Sequence, residues 1–300
     1  MKEFVKAEKL IRQYLKEGTG FKYEGIDYVI KFSGKPRPKK GKGEPKTDIY
    51  VYAVSTDGKY EKEFKISYKK LNAEFLENKM KKYRAEQIFG SDWQSVITNS
   101  IEKIEDKFKK RTLLYLNSYK QTRAGSMTLG WKFELFNKQQ GELSGLMENL
   151  TEEQVYEIYA GEKLEERKRD SKVKGEIIPK SGVADYILFT DKVDSAQDII
   201  DKSVRIKEYV KDNPDIYFGC KALNYNSKKK KIEGNRDLVV QVDWFVEKEK
   251  LEAKLEFEKP LLCSGKDMKM KAEQCLKDMK KKDATQITEE EISGISIYKK

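Results

Sequence analysis

Two carboxylates and one lysine lie close together in the first quarter of the chain, in a pattern suited to hydrolysis with a divalent cation. Asp48 opens a run of β-branched and aromatic residues, and Glu63 and Lys65 stand two residues apart in the next such run. Neighbouring carboxylates can bind Mg²⁺, which neutralises their mutual repulsion. A lysine beside them can orient an attacking water and stabilise charge that develops on a phosphate. These three residues therefore predict a magnesium site for phosphodiester hydrolysis.

The amino-acid composition excludes several other kinds of hydrolytic site. The 300-residue chain has no histidine, which excludes Ser-His-Asp and Cys-His catalysis and His-ligated zinc. Its three cysteines, Cys220, Cys263 and Cys275, are too few and too scattered for a four-thiolate zinc site. They predict free thiols in a reducing cytoplasm. Chemistry by carboxylates, lysine, tyrosine or a hard metal ion remains.

The charge balance of the chain favours a polyanionic partner. Lysine and arginine number 62 against 51 aspartate and glutamate, which gives a net charge of +11. A genome that encodes lysine wherever the surface tolerates it would give the same composition. No apolar run reaches the ~18 residues of a membrane span, and the mixed-charge start does not resemble a signal peptide. We therefore expect a cytoplasmic protein without a membrane partner.

The residues from 48 to 68 predict a β-hairpin that positions the reactive groups. Two strand-like runs, 48–55 and 60–68, flank the turn Thr56-Asp57-Gly58. Because side chains alternate along a strand, Glu63 and Lys65 share one face and Phe64 lies on the other. We predict that Asp48, Glu63 and Lys65 converge at one edge of a mixed sheet.

A helix predicted over residues 2–17 offers a third carboxylate. Ala7, Ile11 and Leu15 repeat at helical spacing, and Glu8 falls within the same apolar face. A carboxylate on an apolar face is costly unless something pairs with it. Glu8 is therefore a candidate third metal ligand. The alternative is that it lies at the rim of the face and reaches solvent.

A basic loop precedes the hairpin, and more lysines follow it. Residues 33–47 combine three prolines, three glycines and six basic residues with one acid, and predict a mobile loop. Six cations beside Asp48 would repel one another without a polyanion, so we expect them to contact the DNA backbone. The candidate DNA-binding residues are Lys35, Arg37, Lys39, Lys40, Lys42, Lys69 and Lys70.

The first 90 residues resemble the PD-(D/E)xK nuclease superfamily, which includes many type II restriction endonucleases. The resemblance lies in Pro45-Lys46-Thr47-Asp48 before one strand and Glu63-Phe64-Lys65 in the next. The predicted order of helix, strands and a second helix over 70–89 also fits the family core. By resemblance, Asp48 and Glu63 would be metal ligands and Lys65 the catalytic lysine. This chain departs from the family pattern in placing two residues between the proline and the aspartate.

The resemblance implies an α/β fold with a restriction-endonuclease-like core of helix, mixed β-sheet and helix. The character of the sequence changes around residues 140–150, which predicts a domain boundary there. Residues 1–145 would then contain this core with the basic loop 33–47, and residues 146–300 would form an α+β region for DNA recognition. The implied function is sequence-specific, Mg²⁺-dependent cleavage of double-stranded DNA by a homodimer, because cutting both strands usually calls for two active sites. Two alternatives remain: a nicking or repair nuclease on the same core, and a non-catalytic basic protein that binds nucleic acid.

A second match to the same short pattern is present near the C-terminal end. Asp243 precedes Glu252-Ala253-Lys254. No Pro/Gly loop precedes this aspartate and the intervening residues carry no turn signal, so we interpret this copy as a solvated strand face.

Overall fold

The computed structural model describes the backbone of residues 2–299 and the side chains of residues 6–299. The chain has a mixed α/β fold whose contacts divide it into two compact units, and each unit is built from two separate segments. Unit 1 comprises residues 1–74 and 150–214, and unit 2 comprises residues 75–149 and 215–300.

The helices, numbered in chain order, are α1 (Lys2–Tyr14), α2 (Lys82–Phe89), α3 (Trp93–Glu102), α4 (Glu105–Lys109), α5 (Glu152–Ala160), α6 (Glu166–Arg169), α7 (Ala196–Lys202), α8 (Ile206–Asp212) and α9 (Gly265–Asp278). The strands are β1 (Gly20–Tyr23), β2 (Ile26–Gly34), β3 (Ile49–Ser55), β4 (Glu61–Lys69), β5 (Phe75–Glu77), β6 (Leu114–Tyr115), β7 (Ser126–Phe136), β8 (Ser144–Leu146), β9 (Lys172–Val173), β10 (Glu176–Ile177), β11 (Tyr186–Phe189), β12 (Val204–Arg205), β13 (Tyr217–Asn226), β14 (Lys231–Ile232), β15 (Asp237–Leu238), β16 (Val240–Glu247), β17 (Lys250–Glu256), β18 (Cys263–Ser264) and β19 (Ile297–Tyr298).

Unit 1 is built on a mixed sheet with the strand order β1-β2-β3-β4-β11-β12. Strands β1 to β4 form an antiparallel meander, and β11 pairs in parallel with β4. The first hairpin turns at Glu24-Gly25, where both residues have positive φ, as a two-residue type I′ turn requires. The second hairpin turns at residues 56–60, as predicted. The mixed character of the sheet agrees with the expected α/β class.

Helices α1 and α7 cover one face of the unit 1 sheet. Ile11 from α1, Leu15 directly after the helix and Ile199 from α7 belong to the same buried cluster as Phe64 and Ile66 from β4. The apolar positions of α1 are four residues apart and so lie on one helical face. The even-numbered side chains of β4 therefore enter the core, which leaves Glu63 and Lys65 on the opposite face, as the alternation predicted.

Unit 2 is built around β7, which pairs with β13 on one side and β16 on the other. One face of β7 is apolar, and Trp131 and Phe133 on it stack against Phe108 and Phe218. The other face carries charged residues that are nevertheless buried, Lys132 and Glu134. Helix α9 contacts β16 and β7. Strands β13 and β16 are not neighbours, because β7 lies between them.

The division into units differs from the boundary near residue 145 expected from the sequence. The chain leaves unit 1 after Glu74, returns at Leu150, and leaves again after Pro214. The reason is that β11 completes the sheet begun by β4, a pairing that a single linear cut cannot express. The expected helix over 70–89 is also wrong in its first half, because Phe75–Glu77 is a strand paired with β7 and the helix begins at Lys82.

Candidate active site

Asp48 stands at the start of β3, where the backbone is already paired with β4. Its N–H donates to the carbonyl of Ile66 (2.9 Å), and its Oδ2 accepts from the N–H of Tyr68 (2.9 Å). The side chain is only partly exposed. Asp48 is therefore held at the C-terminal end of β4, beside residues 66–68.

The strand register separates Asp48 from Glu63. Tyr52 lies opposite Glu63, whereas Ile49, next to Asp48, lies opposite Ile66. Glu63 precedes Ile66 by three residues, which corresponds to roughly 10 Å along a strand. The register therefore argues against the predicted convergence of Asp48 with Glu63, and against one cation shared by their carboxylates.

The hairpin turn explains this register. The N–H of Ser55 donates to the carbonyl of Tyr60 (2.8 Å), and counting back from this pair sets Ser67 opposite Asp48. The pattern D-x(n)-ExK specifies only a spacing, and spacing alone does not say which residues of a hairpin face each other. The roles predicted for Glu63 and Lys65 remain predictions.

Glu63 and Lys65 have partners of their own on the outer face of β4. The hydroxyl of Tyr50 donates to Oε1 of Glu63, and Nζ of Lys65 lies 3.0 Å from Oδ2 of Asp185. Burial and this hydrogen bond raise the pKa of Tyr50 above its usual value, which keeps the phenol protonated as a donor. Asp185, absent from the sequence-based set, immediately precedes β11. Asp185 could have been identified from its position directly before an apolar strand, a strand type that is typical of buried parallel sheets.

Glu63 and Asp185 line one small cleft on this outer face. The cleft has a volume of about 220 Å³ and is lined by Lys62, Glu63, Tyr156, Asp185, Tyr186, Arg205 and Lys207. The cleft contains two carboxylates beside the buried Lys65. It is therefore one candidate location for the predicted metal-dependent hydrolysis.

Glu8 is buried and paired, so it is not a solvent-exposed rim residue. Its exposure is 3%, and its Oε2 lies 3.0 Å from Nζ of Lys35. Nε of Arg12, one turn further along α1, lies 3.5 Å from Oε1 of Glu8. The helix thus carries a buried carboxylate toward the loop that precedes Asp48, and two cations compensate its charge.

Asp48 and Glu8 influence each other electrostatically. The pKa of Asp48 is raised to about 6, chiefly by burial and to a smaller extent by the negative charge of Glu8, while Lys69, the N–H of Tyr68 and Lys35 oppose the rise. The pKa of Lys35 is raised despite its own burial, because Glu8 accepts its hydrogen bond and Glu8, Glu44 and Asp48 add negative charge. Asp48 thus interacts electrostatically with Glu8, Lys35 and Lys69, and we call these four residues the acidic corner.

The basic loop is ordered by hydrogen bonds to residues 166–182, which corrects the prediction that it is mobile. Arg37 and Lys172 exchange two backbone hydrogen bonds (2.9 and 2.7 Å). The guanidinium of Arg167 donates to the carbonyls of Lys40 (3.1 Å) and Lys42 (3.0 Å). Gly41 and Gly43 have positive φ, a conformation that glycine adopts readily. The glycines of the loop therefore serve the backbone conformations that these contacts require and do not indicate mobility.

The candidate DNA-binding residues fall into two groups, one engaged in ion pairs and one exposed or partly exposed. Lys35 and Lys39 are engaged in ion pairs, Lys35 with Glu8 and Lys39 with Glu166 at 2.8 Å. The side chains of Arg37, Lys40 and Lys42 are exposed, and Lys69 and Lys70 are partly exposed. The exposed group is therefore better placed to contact a polyanion.

A large basic groove borders the acidic corner within unit 1. Its volume is about 870 Å³. Among the described residues that line it, the charged side chains are Arg12, Lys16, Lys35, Arg37, Lys39, Lys172 and Lys174 against Glu17. Glu8 lines an adjoining cavity of about 500 Å³ that shares Arg12, Lys35, Arg37 and Pro38 with the groove. A polyanion bound in the groove would lie beside the buried carboxylate of Glu8.

The donor atoms of the acidic corner fit a hard divalent cation. Asp48 and Glu8 supply carboxylate oxygens, the ligand type that Mg²⁺ prefers, and Mg²⁺ retains several waters, so two protein ligands suffice. A cation would also stabilise the ionised form of Asp48, whose pKa is raised chiefly by burial and in smaller part by Glu8. Among the side chains described, no set of three or more Asp, Glu, Cys or His groups is arranged to hold a metal ion.

The second pattern match lies on the β16–β17 hairpin of unit 2. Asp243 faces Lys254 across the strands, and its Oδ1 lies 2.6 Å from Nζ of Lys271. The side chains of Asp243 and Lys271 are 38% and 48% exposed. These partners agree with the interpretation as a solvated strand face.

No family model matches the sequence, and neither the curated proteins nor the solved structures provide a match. Within residues 2–299, none of the helices combines the length and the apolar character needed to span a bilayer.

Proposed function

We propose that this chain is a Mg²⁺-dependent endonuclease that cleaves double-stranded DNA, of the restriction type and related to the PD-(D/E)xK nucleases. The observation that carries the proposal is the acidic corner beside the basic groove. Glu8 lines the cavity that adjoins the groove and interacts electrostatically with Asp48, and the groove itself carries seven cations and one acid. Nonspecific affinity for DNA comes from such cationic surfaces, and hydrolysis needs carboxylates to hold a metal ion.

The architecture of unit 1 is consistent with the proposal. A helix precedes an antiparallel meander, Asp48 opens one strand, and a parallel strand follows after helix α5. This arrangement of helix, mixed sheet and helix supports the proposal, because the resemblance implies a core built from the same kinds of element. Unit 2 supplies the remaining surface, for which we propose a role in DNA recognition, and a homodimer would provide one site for each strand.

The chain's own residues would divide the work as follows. Asp48 and Glu8 would hold the cation. Arg12 and Lys35 would orient Glu8, the N–H of Tyr68 would orient Asp48, and the groove would bind the phosphates on either side. A bound magnesium ion would supply Lewis-acid polarisation of the scissile phosphodiester.

Two lysines are candidates for the group that stabilises charge in the transition state. Lys65 is the lysine of the sequence pattern, but its ammonium faces Asp185. Lys69 stands at the end of β4, and its charge is the largest influence that lowers the pKa of Asp48. A catalytic lysine near Asp48 would therefore be Lys69, whereas a site in the cleft of Glu63 and Asp185 would use Lys65.

The test is cleavage of duplex DNA of random sequence with Mg²⁺ or Mn²⁺, with EDTA as the blank. We expect Asp48→Asn and Glu8→Gln each to lower the rate by roughly 10²-fold or more, and Lys69→Ala by a similar factor. Glu61→Gln and Lys59→Ala, exposed residues of the same hairpin, should cleave as wild type. Loss with Glu63→Gln, Lys65→Ala and Asp185→Asn, but not with the first set, would move the site to the cleft.

The second candidate function is non-catalytic binding of nucleic acid. It is favoured by the ion pairs of Glu8 with Lys35 and Arg12, which neutralise this carboxylate without a metal. A wild-type protein that binds duplex DNA tightly and cuts no member of the pool with either cation would establish this alternative.

A further inference from the structure

Unit 2 contains a polar cleft between the turn at residues 121–123, strand β13 and the tip of the β13–β14 hairpin. Its volume is about 310 Å³. The residues that line it are Gln121, Thr122, Arg123, Ser126, Asn224, Asn226, Lys229, Lys231, Ile232 and Glu233. Amide and hydroxyl groups thus form its floor, and its charged residues are three cations and one acid.

The floor of the cleft is built from amides whose orientation is set by hydrogen bonds. Asn224 and Asn226 are two residues apart on β13 and so share one face of the strand. The hydroxyl of Thr128 lies 3.1 Å from Oδ1 of Asn224, which leaves the amide NH₂ of Asn224 to donate. Asn226 donates from Nδ2 to the carbonyl of Ala124 (3.2 Å) and accepts from the N–H of Lys229 (2.9 Å).

The cationic rim of the cleft is held in place by the same hairpin. Ser227 is buried, its hydroxyl donates to the carbonyl of Gly125 (2.6 Å), and it accepts from the N–H of Ala284 (2.9 Å). The next four residues are all lysine, with exposed side chains on strand β14 and the turn before it. Four like charges on an anchored turn repel one another, and an anion relieves that repulsion.

We propose that this cleft binds one nucleotide of a single-stranded nucleic acid, with the base at the amide floor and the phosphates at the lysine rim. A volume near 300 Å³ is at the small end of ligand sites. A concave site of this size admits an unstacked nucleotide, and it does not admit a duplex. Asparagine and glutamine amides suit the hydrogen-bonding edges of bases, and the planar guanidinium of Arg123 suits a base face. The site is separate from the proposed nuclease chemistry and does not depend on it.

The experiment is fluorescence anisotropy with the full chain in EDTA, using a labelled 12-nucleotide single-stranded DNA of mixed sequence and, in parallel, its duplex. We expect Lys229→Ala/Lys231→Ala to weaken single-strand binding about tenfold or more and duplex binding less than twofold. The slope of log affinity against log salt should fall by about 1.4, since each phosphate contact with a single strand releases about 0.7 counterions. The matched control is Lys248→Ala/Lys250→Ala on the β16–β17 hairpin at the opposite end of the sheet, which should change neither affinity more than twofold.

The amide floor is tested separately. Asn224→Ala should weaken single-strand binding with an unchanged salt slope, and Gln121→Ala, at an exposed position, gives the same readout should the first variant fail to fold. The proposal is overturned if both amide variants bind as wild type, if the lysine variant loses single strand and duplex equally, or if polyglutamate competes as well as the oligonucleotide. Asp48→Asn should bind the single strand as wild type, so a failure of the nuclease proposal would leave this result unaffected.

Discussion

The ammonium of Lys65 lies 3.0 Å from the carboxylate of Asp185, a residue 120 positions further along the chain. The backbone joins the same two residues, because the N–H of Asp185 donates to the carbonyl of Lys65 (2.9 Å). The side chain of Lys65 is only 10% exposed, whereas that of Asp185 is 42% exposed. The pair thus links β4 to the start of β11 at the point where the parallel pairing begins.

We expect this pair to contribute measurably to stability. A double-mutant cycle with Lys65→Ala and Asp185→Ala should give a coupling free energy of about 1–2 kcal/mol in urea unfolding, since a hydrogen bond to a charged group is worth about that much. The exposed pair Lys82–Glu86, 3.7 Å apart, is the control and should give about 0.3–0.5 kcal/mol. Equal coupling in the two pairs would contradict this prediction.

The raised pKa of Asp48 predicts an unusual pH dependence of stability. The folded-state pKa of about 6 exceeds the ordinary value of 3.8, so ionisation costs more in the folded protein than in the unfolded chain. The stabilising contribution is present below about pH 4 and is lost as pH rises through about 6. Asp48→Asn should therefore unfold like wild type at pH 4 and be more stable at pH 7.5 by about 1–3 kcal/mol. Denaturant titrations at the two pH values measure the difference, and the opposite trend would mean that Asp48 is stabilised as the anion.

Magnesium should stabilise the folded protein through the acidic corner. A ligand that binds only the folded state raises the unfolding temperature, so excess Mg²⁺ at pH 7.5 should raise that of wild type by a few degrees. Asp48→Asn and Glu8→Gln should lose this response, and Glu61→Gln should retain it. Calorimetry with and without the ion is the measurement. A response that survives in both corner variants but disappears in Glu63→Gln would assign the ion to the cleft.

Breaking the buried pair of Glu8 and Lys35 should be costly. Lys35→Met leaves the Glu8 carboxylate buried beside Arg12 alone, and we expect a loss of about 2–4 kcal/mol in the free energy of unfolding. The double variant Glu8→Gln/Lys35→Met removes both charges and should recover most of that loss. A double variant as unstable as the single one would show that packing of the lysine stem, and not charge, accounts for the effect.

The salt dependence of duplex binding should distinguish the exposed cations of the loop from the paired ones. Neutralising Arg37, Lys40 and Lys42 should lower the slope of log affinity against log salt by up to about 2.7, at about 0.9 per phosphate contact. Neutralising Lys35 and Lys39, which are engaged with Glu8 and Glu166, should lower the slope less per residue. Anisotropy titrations at several salt concentrations provide both slopes, and equal slopes per residue would contradict the distinction.

Local patterns predicted local structure in unit 1. The turn at Thr56-Asp57-Gly58 and the first helix follow from turn residues and helical periodicity, and the structure has both, although the helix ends at Tyr14 and not at residue 17. The sequence left two alternatives for Glu8, because a carboxylate on an apolar helical face is either buried with a partner or exposed at the rim. Its partner, Lys35, lies 27 residues away, so helical periodicity alone does not identify the pair.

The site itself depended on relations that a linear pattern does not contain. Asp48 faces Ser67 and not Glu63 because the turn sets the register, and the ExK spacing carries no register. Asp185 contacts Lys65 because β11 pairs in parallel with β4. Residues 75–149, which belong to unit 2, lie between the two strands in the sequence, so a local pattern does not reveal this contact. The conformation of the basic loop depends on Arg167, which donates hydrogen bonds to backbone carbonyls of the loop. Contacts with backbone carbonyls do not depend on the side chains of the loop, so its composition does not predict them.

The parallel pairing of β11 with β4 also has a consequence during synthesis. Strand β4 ends at Lys69 and its partner begins at Tyr186, so the ribosome must add 117 residues before this edge can be covered. At about 5–20 residues per second this takes roughly 6–25 s. Throughout that interval the nascent chain exposes an unpaired strand edge flanked by Phe64 and Ile66, while all of the 75–149 segment emerges. Production of this protein at high expression rates should therefore depend on chaperones that bind β-edges, and slower translation at low temperature should increase the soluble yield.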